Sequence, residues 1–411
     1  MKITFVFFLF NVAVSIRAVP LVAERKNTYF IQLKDPETIE KLCSQDDNVK
    51  AIYHLRQEIK DFFSFGNFEA ITGQFSEEVI SRISKNSLVE YISEDFTVNA
   101  LDLTLQDSAP SHLVRISQEK TVSVGQQMNF YYLNEHAGKG VTAFVIDSGV
   151  NVDHPQFENR AYMGPNFSND LENVDYIGHG THVAGVMGSK IYGVAKQLNI
   201  HSVKVLDRNG QGTLSSVIAG LAYSVKQMLK QGVPAVANLS LGAPRSRILD
   251  AAIQAAYKAG LVVVAAAGNN NGDACQSSPA RSPYSITVGA INDYNDHIAH
   301  FSNWGDCVDI FAGGVNIVSL NHSNDDYNAV QVLSGTSMAS PIVAGLVAIL
   351  FNEGFSSYDV KNGIKEQAII NCIPHYSIEL NPGSPNRIAS SGIRPNYPVK
   401  INGVQINSTI F

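Results

Sequence analysis

Short, mainly apolar runs alternate along most of this 411-residue chain with longer stretches in which apolar residues recur every three or four positions. The runs at 141–146, 200–205, 235–241, 261–267, 285–290 and 308–311 are rich in apolar residues without a two-residue alternation, as strands covered on both faces would be. Helical periodicity fills 179–188, 213–230, 246–258 and 336–351. Strands separated by helices predict the α/β class: a mainly parallel sheet with helices on both faces. At this length the stretch 107–392 reads as one large domain rather than two.

The pattern changes before it. Residues 19–106 read as a small α+β module. Its elements are a strand at 28–33, a charged helical stretch near 46–62, an apolar run at 68–75, a second helical stretch near 76–86 and a strand at 89–92. Residues 1–18 carry Lys2, an apolar stretch from Phe5 to Phe10 and small residues up to Ala18, the pattern of a signal peptide rather than a spanning helix. Later runs all fall short of 18 uninterrupted apolar residues, so no stable membrane insertion is expected. The chain should enter the secretory pathway and end outside the cell or at a cell or spore surface, with the vacuole as the alternative. The tail 393–411 carries no motif.

Thirty Lys and Arg against 37 Asp and Glu give a net charge of −7, and there is no long basic run, so nucleic acid is not an expected partner. Four cysteines occur, Cys43, Cys275, Cys307 and Cys372. Glycosylation triplets start at Asn166, Asn238, Asn321 and Asn407; Asn238 abuts a buried run and should be unmodified.

Three distant segments carry chemistry: Asp147 in VIDSG, His179 in GHGTHVAG and Ser337 in GTSMASP. A serine hydroxyl is a weak nucleophile near neutral pH, so it needs a base within hydrogen-bond reach and a third group to orient that base. Taken singly, Asp147-Ser148-Gly149 is a turn, Ser337 a helix cap, and His179 with His182 a metal pair. No Glu stands in the H-E-x-x-H position and no cysteine is near, which weakens the metal reading. A fourth segment, the apolar run ending at Ala267 and followed by Gly268-Asn269, offers small residues and a side-chain amide able to donate to an oxyanion.

The order Asp, His, Ser is that of subtilisin, and with these motifs the chain resembles the subtilases, in particular the proteinase K/cerevisin type. The resemblance implies a serine endopeptidase with Asp147, His179 and Ser337 as the triad, an acyl-enzyme intermediate, and Asn269 as oxyanion donor with the Ser337 backbone N–H. It implies that Ser240, Leu241 and Gly242 pair with an extended substrate, and that Leu241 and Gly242, with Ala266 and Gly268 opposite, wall the pocket for the residue before the cut. With no acidic side chain in these two segments, broad specificity for apolar and aromatic residues is expected.

Further expectations rest on the same likeness. The module 19–106 is taken as an inhibitory propeptide, removed by the enzyme itself within about 103–108, with Leu101, Leu103 or Leu105 filling the pocket. Cys275 and Cys307 are expected to pair, a bridge worth roughly 3 kcal/mol by loop-closure entropy, leaving Cys372 free. No cofactor is required for catalysis. Structural calcium is possible at the Pro283 and Ser285 carbonyls and the Asp309 carboxylate. Protein and peptide substrates and the chain's own propeptide are the partners, and a monomer is expected. Two positions depart from the family pattern: Ile342 stands where His is usual and Val183 where Cys is frequent, which should alter packing and leave the mechanism intact. The alternatives are a catalytically silent, peptide-binding subtilase and a kexin-like processor; against the latter, only 74 residues follow Ser337, too few for a further β-rich domain.

Overall fold

The computed structural model describes residues 27–34, 58–95, 103–122, 131–134, 136–323, 326–393, 399–401 and 404–406. The signal-peptide stretch, Cys43 and Asn407 lie outside the described residues. Two compact units divide between Ala100 and Leu101, six residues before the boundary expected from sequence.

The first unit is a four-stranded antiparallel sheet made of β1 (Asn27–Leu33), β2 (Ile59–Phe65), β3 (Phe68–Phe75) and β4 (Val89–Glu94), in the order β2-β3-β1-β4, with α1 (Glu77–Ile83) packed on it. Alternate residues Tyr29, Ile31 and Leu33 point into its core beside Ile71 and Phe75. The expected helix near 46–62 is corrected over its last residues: 46–57 fall outside the described residues and Ile59 onward is strand. Phe65 faces Phe68 across a two-residue turn, Gly66-Asn67, with Gly66 at φ +57°. That is a tight hairpin, and rings stacked across strands, Phe65 on Phe68 at 4.9 Å and Phe30 near Phe63 at 5.3 Å, override the charges that read as helical.

The second unit begins with β5 (Leu103–Gln106), α2 (Ser111–Ile116) and β6 (Tyr131–Asn134), where β5 and β6 pair antiparallel. Its main sheet collects β7 (Thr142–Asp147), β8 (Ala161–Asn166), β9 (Asn199–Lys204), β10 (Ala235–Leu239), β11 (Val262–Ala266), β12 (Ser285–Ile291) and β13 (Ile310–Gly313). Between and after them run α3 (His179–Gly188), α4 (Leu214–Gln231), α5 (Arg247–Lys258), the hairpin β14 (Ile317–Leu320) and β15 (Val330–Leu333), α6 (Thr336–Asn352), α7 (Val360–Gln367), β16 (Ile369–Ile370) and β17 (Arg387–Ile388). The nine strands lie in the order β16-β17-β13-β12-β11-β10-β7-β9-β8, parallel except at the β16–β17 edge.

Successive residues of the central strands feed two cores, which is why those runs show no two-residue alternation. Ala143, Val145, Val236 and Val264 pack with Val183 and Met187 of α3 and the buried length of α6. Phe144, Ile146, Ala237 and Val263 pack with Leu221 of α4 and Ile253 of α5 on the opposite face. Val183 and Ile342, the two departures from the family pattern, are both fully buried in the first of these cores, where apolar side chains belong. This is the α/β architecture read from sequence, and within 107–392 each expected strand and helix is found within about two residues.

Candidate active site

The candidate residues gather at the carboxyl ends of the parallel strands. Asp147 is the last residue of β7 and fully buried. Its Oδ1 accepts from the Ser148 N–H at 2.7 Å and meets Nδ1 of His179, the first residue of α3, also at 2.7 Å. Burial by itself would depress the His179 pKa; the charge of Asp147, the hydrogen bond to it and the charge of Asp175 outweigh that, and the pKa lies above the usual histidine value. Three residues on, His182 is buried with Nε2 against the Ile317 and Gln331 carbonyls, and burial lowers its pKa to about 4. It is a neutral structural neighbour of His179.

Several positioning groups escaped the sequence. The buried Asp175 carboxylate accepts from the Ser148 hydroxyl and from the N–H groups of Gly178 and Thr181, each at 2.9 Å, and so pins the start of α3. Lys204, wholly buried, donates to the Ser148 and Leu206 carbonyls at 2.7 Å and pairs with Asp170 at 3.0 Å. Both look like ordinary turn and strand residues in the sequence; no local signal marks them.

Ser337 sits in the first turn of α6, where backbone N–H groups lack helical acceptors and the helix dipole is positive. Pro341 has no N–H to give the Ser337 carbonyl, and the Ser240 hydroxyl donates there instead at 2.8 Å. The Ser240 hydroxyl in turn accepts from Asn238, which accepts from Ser340. The Ser337 hydroxyl donates to the Ser240 carbonyl at 3.3 Å and not to His179; a bond that tightens only with substrate bound is common in such sites.

Asn269 follows β11. Its Oδ1 accepts from the N–H and the hydroxyl of Thr336 at 2.8 and 2.9 Å, which leaves Nδ2 to the cleft. A Cβ on Gly335 would stand 3.4 Å from that Nδ2 and 3.7 Å from the Ser337 N, over both donors, so glycine keeps the place open. Gly268 has φ +108°, and a Cβ there would strike Asn303 Nδ2 at 2.4 Å. Asn303, also missed in the sequence, clamps this loop: it donates to the Ala267 carbonyl at 2.9 Å and accepts from the N–H groups of Asn270 and Gly272.

All five expected substrate residues, Ser240, Leu241, Gly242, Ala266 and Gly268, line one cavity of about 590 Å³ together with Asn269 and Ser337. A second, of about 540 Å³, contains His179 and shares Ser240 to Ala243 with the first. The first cavity also includes Asp273, beyond the two segments considered in the sequence. Its carboxylate is occupied by the Cys275 N–H at 2.8 Å and the Gln276 amide at 2.9 Å. Cys275 is disulfide-bonded to Cys307, which ties this wall to the approach to β13, and Cys372 is free. Asn238 is fully buried, as expected for an unmodified triplet, and the Asn166 side chain is folded onto its own loop.

The expected calcium ligands do converge, but on an ammonium. Lys361 Nζ lies 2.6 Å from the Ser285 carbonyl, 3.2 Å from that of Pro283 and 2.9 Å from Asp309 Oδ2. Two lysines hold the one carboxylate, since Lys365 Nζ is 2.8 Å from Oδ1, so these residues do not fit a divalent ion.

Residues 138–392 match the model of the subtilase family. The chain is 37% identical over 406 residues to the subtilase-type proteinase RRT12 of Saccharomyces cerevisiae, covering 89% of this chain and 82% of that protein. It is 46% identical to cerevisin of the same yeast over 297 residues, 70% of this chain but only 46% of cerevisin. Among solved structures, that of a cold-adapted subtilisin-like serine proteinase is 40% identical, with a TM-score of 0.61 over 69% of this chain and 98% of the other.

Proposed function

The chain belongs to the subtilase family and is a serine endopeptidase, and from that premise we propose that it cleaves polypeptides after apolar and aromatic residues and matures by cutting itself. Ser337 attacks the substrate carbonyl while His179 takes its proton and later delivers it to the leaving amine. Asp147 fixes the imidazole tautomer through Nδ1 and stabilises the imidazolium. Asn269 Nδ2 and the Ser337 N–H receive the oxyanion. The substrate backbone lies along Ser240–Gly242, and its side chain enters between Leu241 and Ala266. The catalytically silent alternative lacks support, because each of the four chemical groups is present. The observation that carries the assignment is the 2.7 Å contact of His179 with buried Asp147 at the mouth of the cleft that Asn269 and Ser337 line.

The first unit is the inhibitory propeptide, and the proteolytic domain, a monomer, follows it. Leu103–Gln106 pairs with β6, and the Gln106 amide donates to the Ile191 carbonyl at 3.0 Å, past the far end of α3. At 1.5 Å per residue the ten residues of α3 separate that point from His179 by about 15 Å. The self-cut remains proposed within about 103–108, which requires this strand to leave β6 and enter the cleft. Entry to the secretory pathway through residues 1–18, and then release or retention at the cell or spore surface, completes the reading. Among the described residues no helix is long and apolar enough to cross a membrane.

Expression of wild type and Ser337→Ala in a protease-deficient host tests it. Wild type should hydrolyse casein and show a new N-terminus near 103–108, and Ser337→Ala should accumulate about 10 kDa larger and inactive. Normal processing of Ser337→Ala would assign maturation to another protease.

A further inference from the structure

At the amino ends of β12 and β13, on the opposite rim of the sheet from the catalytic residues, three oxygens face one point: the carbonyls of Pro283 and Ser285 and Oδ2 of Asp309. That point is filled by the Lys361 ammonium, at 3.2, 2.6 and 2.9 Å respectively. An ammonium has three N–H donors and no acceptor, so three oxygens saturate it. Asp309 is itself fully used: Oδ2 also accepts from the Thr287 N–H at 2.9 Å and Oδ1 meets Lys365 at 2.8 Å. Lys361 and Lys365 are one turn apart on α7, which is held in place by Val360 and Ile364, both buried in the core.

We propose that Lys361 is the resident cation of this site: a tethered ammonium takes the place of a divalent metal ion and makes the junction of β12, β13 and α7 independent of free calcium. Calcium requires six to eight oxygens at about 2.3–2.6 Å and favours several carboxylates. This cluster offers three of them, one carboxylate and two carbonyls, and water can complete the shell once the Lys361 ammonium is gone; while it is there, a dication would stand against two ammonium groups. The oxygens suit a cation, and the helix supplies one that a chelator cannot remove. This holds whether or not the catalytic assignments do, because it concerns binding and stability alone.

Calcium titration calorimetry and thermal melts on the full chain, in a Ser337→Ala background that limits digestion, test the proposal. The parent and its Asp309→Asn variant should bind the same number of calcium ions. Lys361→Ala should bind one more, and adding Asp309→Asn should abolish it. In EDTA the Lys361→Ala melting temperature should fall by roughly 5 °C and recover in calcium, whereas the parent should melt alike in both. If Lys361→Ala fails to fold, Lys361→Met keeps the aliphatic stem and should behave in the same way. A calcium ion bound by the parent and lost in Asp309→Asn would overturn the proposal, as would a folded Lys361 variant that gains no calcium ion.

Discussion

The two rims of the nine-stranded sheet treat their polar groups differently. At the amino rim Asp309 spends both oxygens on two lysines and a backbone N–H, and Lys361 spends its three donors on three oxygens. At the carboxyl rim satisfaction is incomplete. Asp147 Oδ2 is buried without a partner, Asn269 uses only its carbonyl end, and the Ser337 hydroxyl holds a long 3.3 Å bond to a carbonyl it can leave. Around those three groups, Asp175, Lys204, Asn303 and Thr336 are fully engaged and fix the backbone. The difference teaches where chemistry is possible: groups left short of partners are available to a transition state, and they can be left so only on a frame whose own groups are paired.

The comparison breaks most readily at the carboxyl rim. Removing the Ser337 hydroxyl should cost about a million-fold in turnover, since base and orienting group act only through it. Asp147→Asn should cost about ten thousand-fold, because the imidazole is then held in the wrong tautomer. It should also move the pH profile. The base works when neutral and its pKa lies above the usual 6.5, so wild-type kcat/KM should fall as pH drops through a midpoint above that value. Without the Asp147 charge and hydrogen bond the midpoint should move down; a profile that stays put would contradict the pairing. Asn269→Ala should lower kcat by about 100- to 1,000-fold and leave KM nearly unchanged, and a loss confined to KM would remove Asn269 from the oxyanion role. A peptide library should favour Phe, Leu or Tyr over Arg before the cut by roughly 10- to 100-fold, because the Asp273 carboxylate is already capped; an Arg-dominated profile would show that it reaches the substrate instead. The smallest effect on activity belongs to the amino rim, where Asp309→Asn should lose about 1–3 kcal/mol of stability and leave kcat/KM as it is.

What could be read from the sequence follows the same division. Strands covered on both faces announce themselves as mainly apolar runs, and the family resemblance carried by the motifs around Asp147, His179, Asn269 and Ser337 named the candidates to look for. β8, whose Ala161–Asn166 is half-exposed and contains Gly164-Pro165, has no such run. β2 was hidden because Lys60 and Asp61 suggest a helix, although the Gly66-Asn67 turn signals a hairpin. The supporting shell was illegible for a different reason. Asn303 and Lys361 act through partners distant in the chain, such as Lys361 on Ser285, 76 positions away, and Asp175 joins its near neighbours Gly178 and Thr181 to Ser148, 27 positions back; nothing local distinguishes the three from surface residues. The calcium expectation shows the same limit: its three oxygens do converge, while the cation among them belongs to a helix the sequence reading did not include.

The central claim is that the groups left short of partners at the carboxyl rim form one catalytic unit whose nucleophile is Ser337. Labelling the mature protein with a fluorophosphonate and locating the adduct by mass spectrometry tests it most directly, because phosphonylation needs an activated serine, a working base and an oxyanion site together. The account predicts one adduct, on Ser337, lost in His179→Ala and formed far more slowly in Asn269→Ala. An adduct on another serine, or labelling of Ser337 that is indifferent to His179, would contradict it.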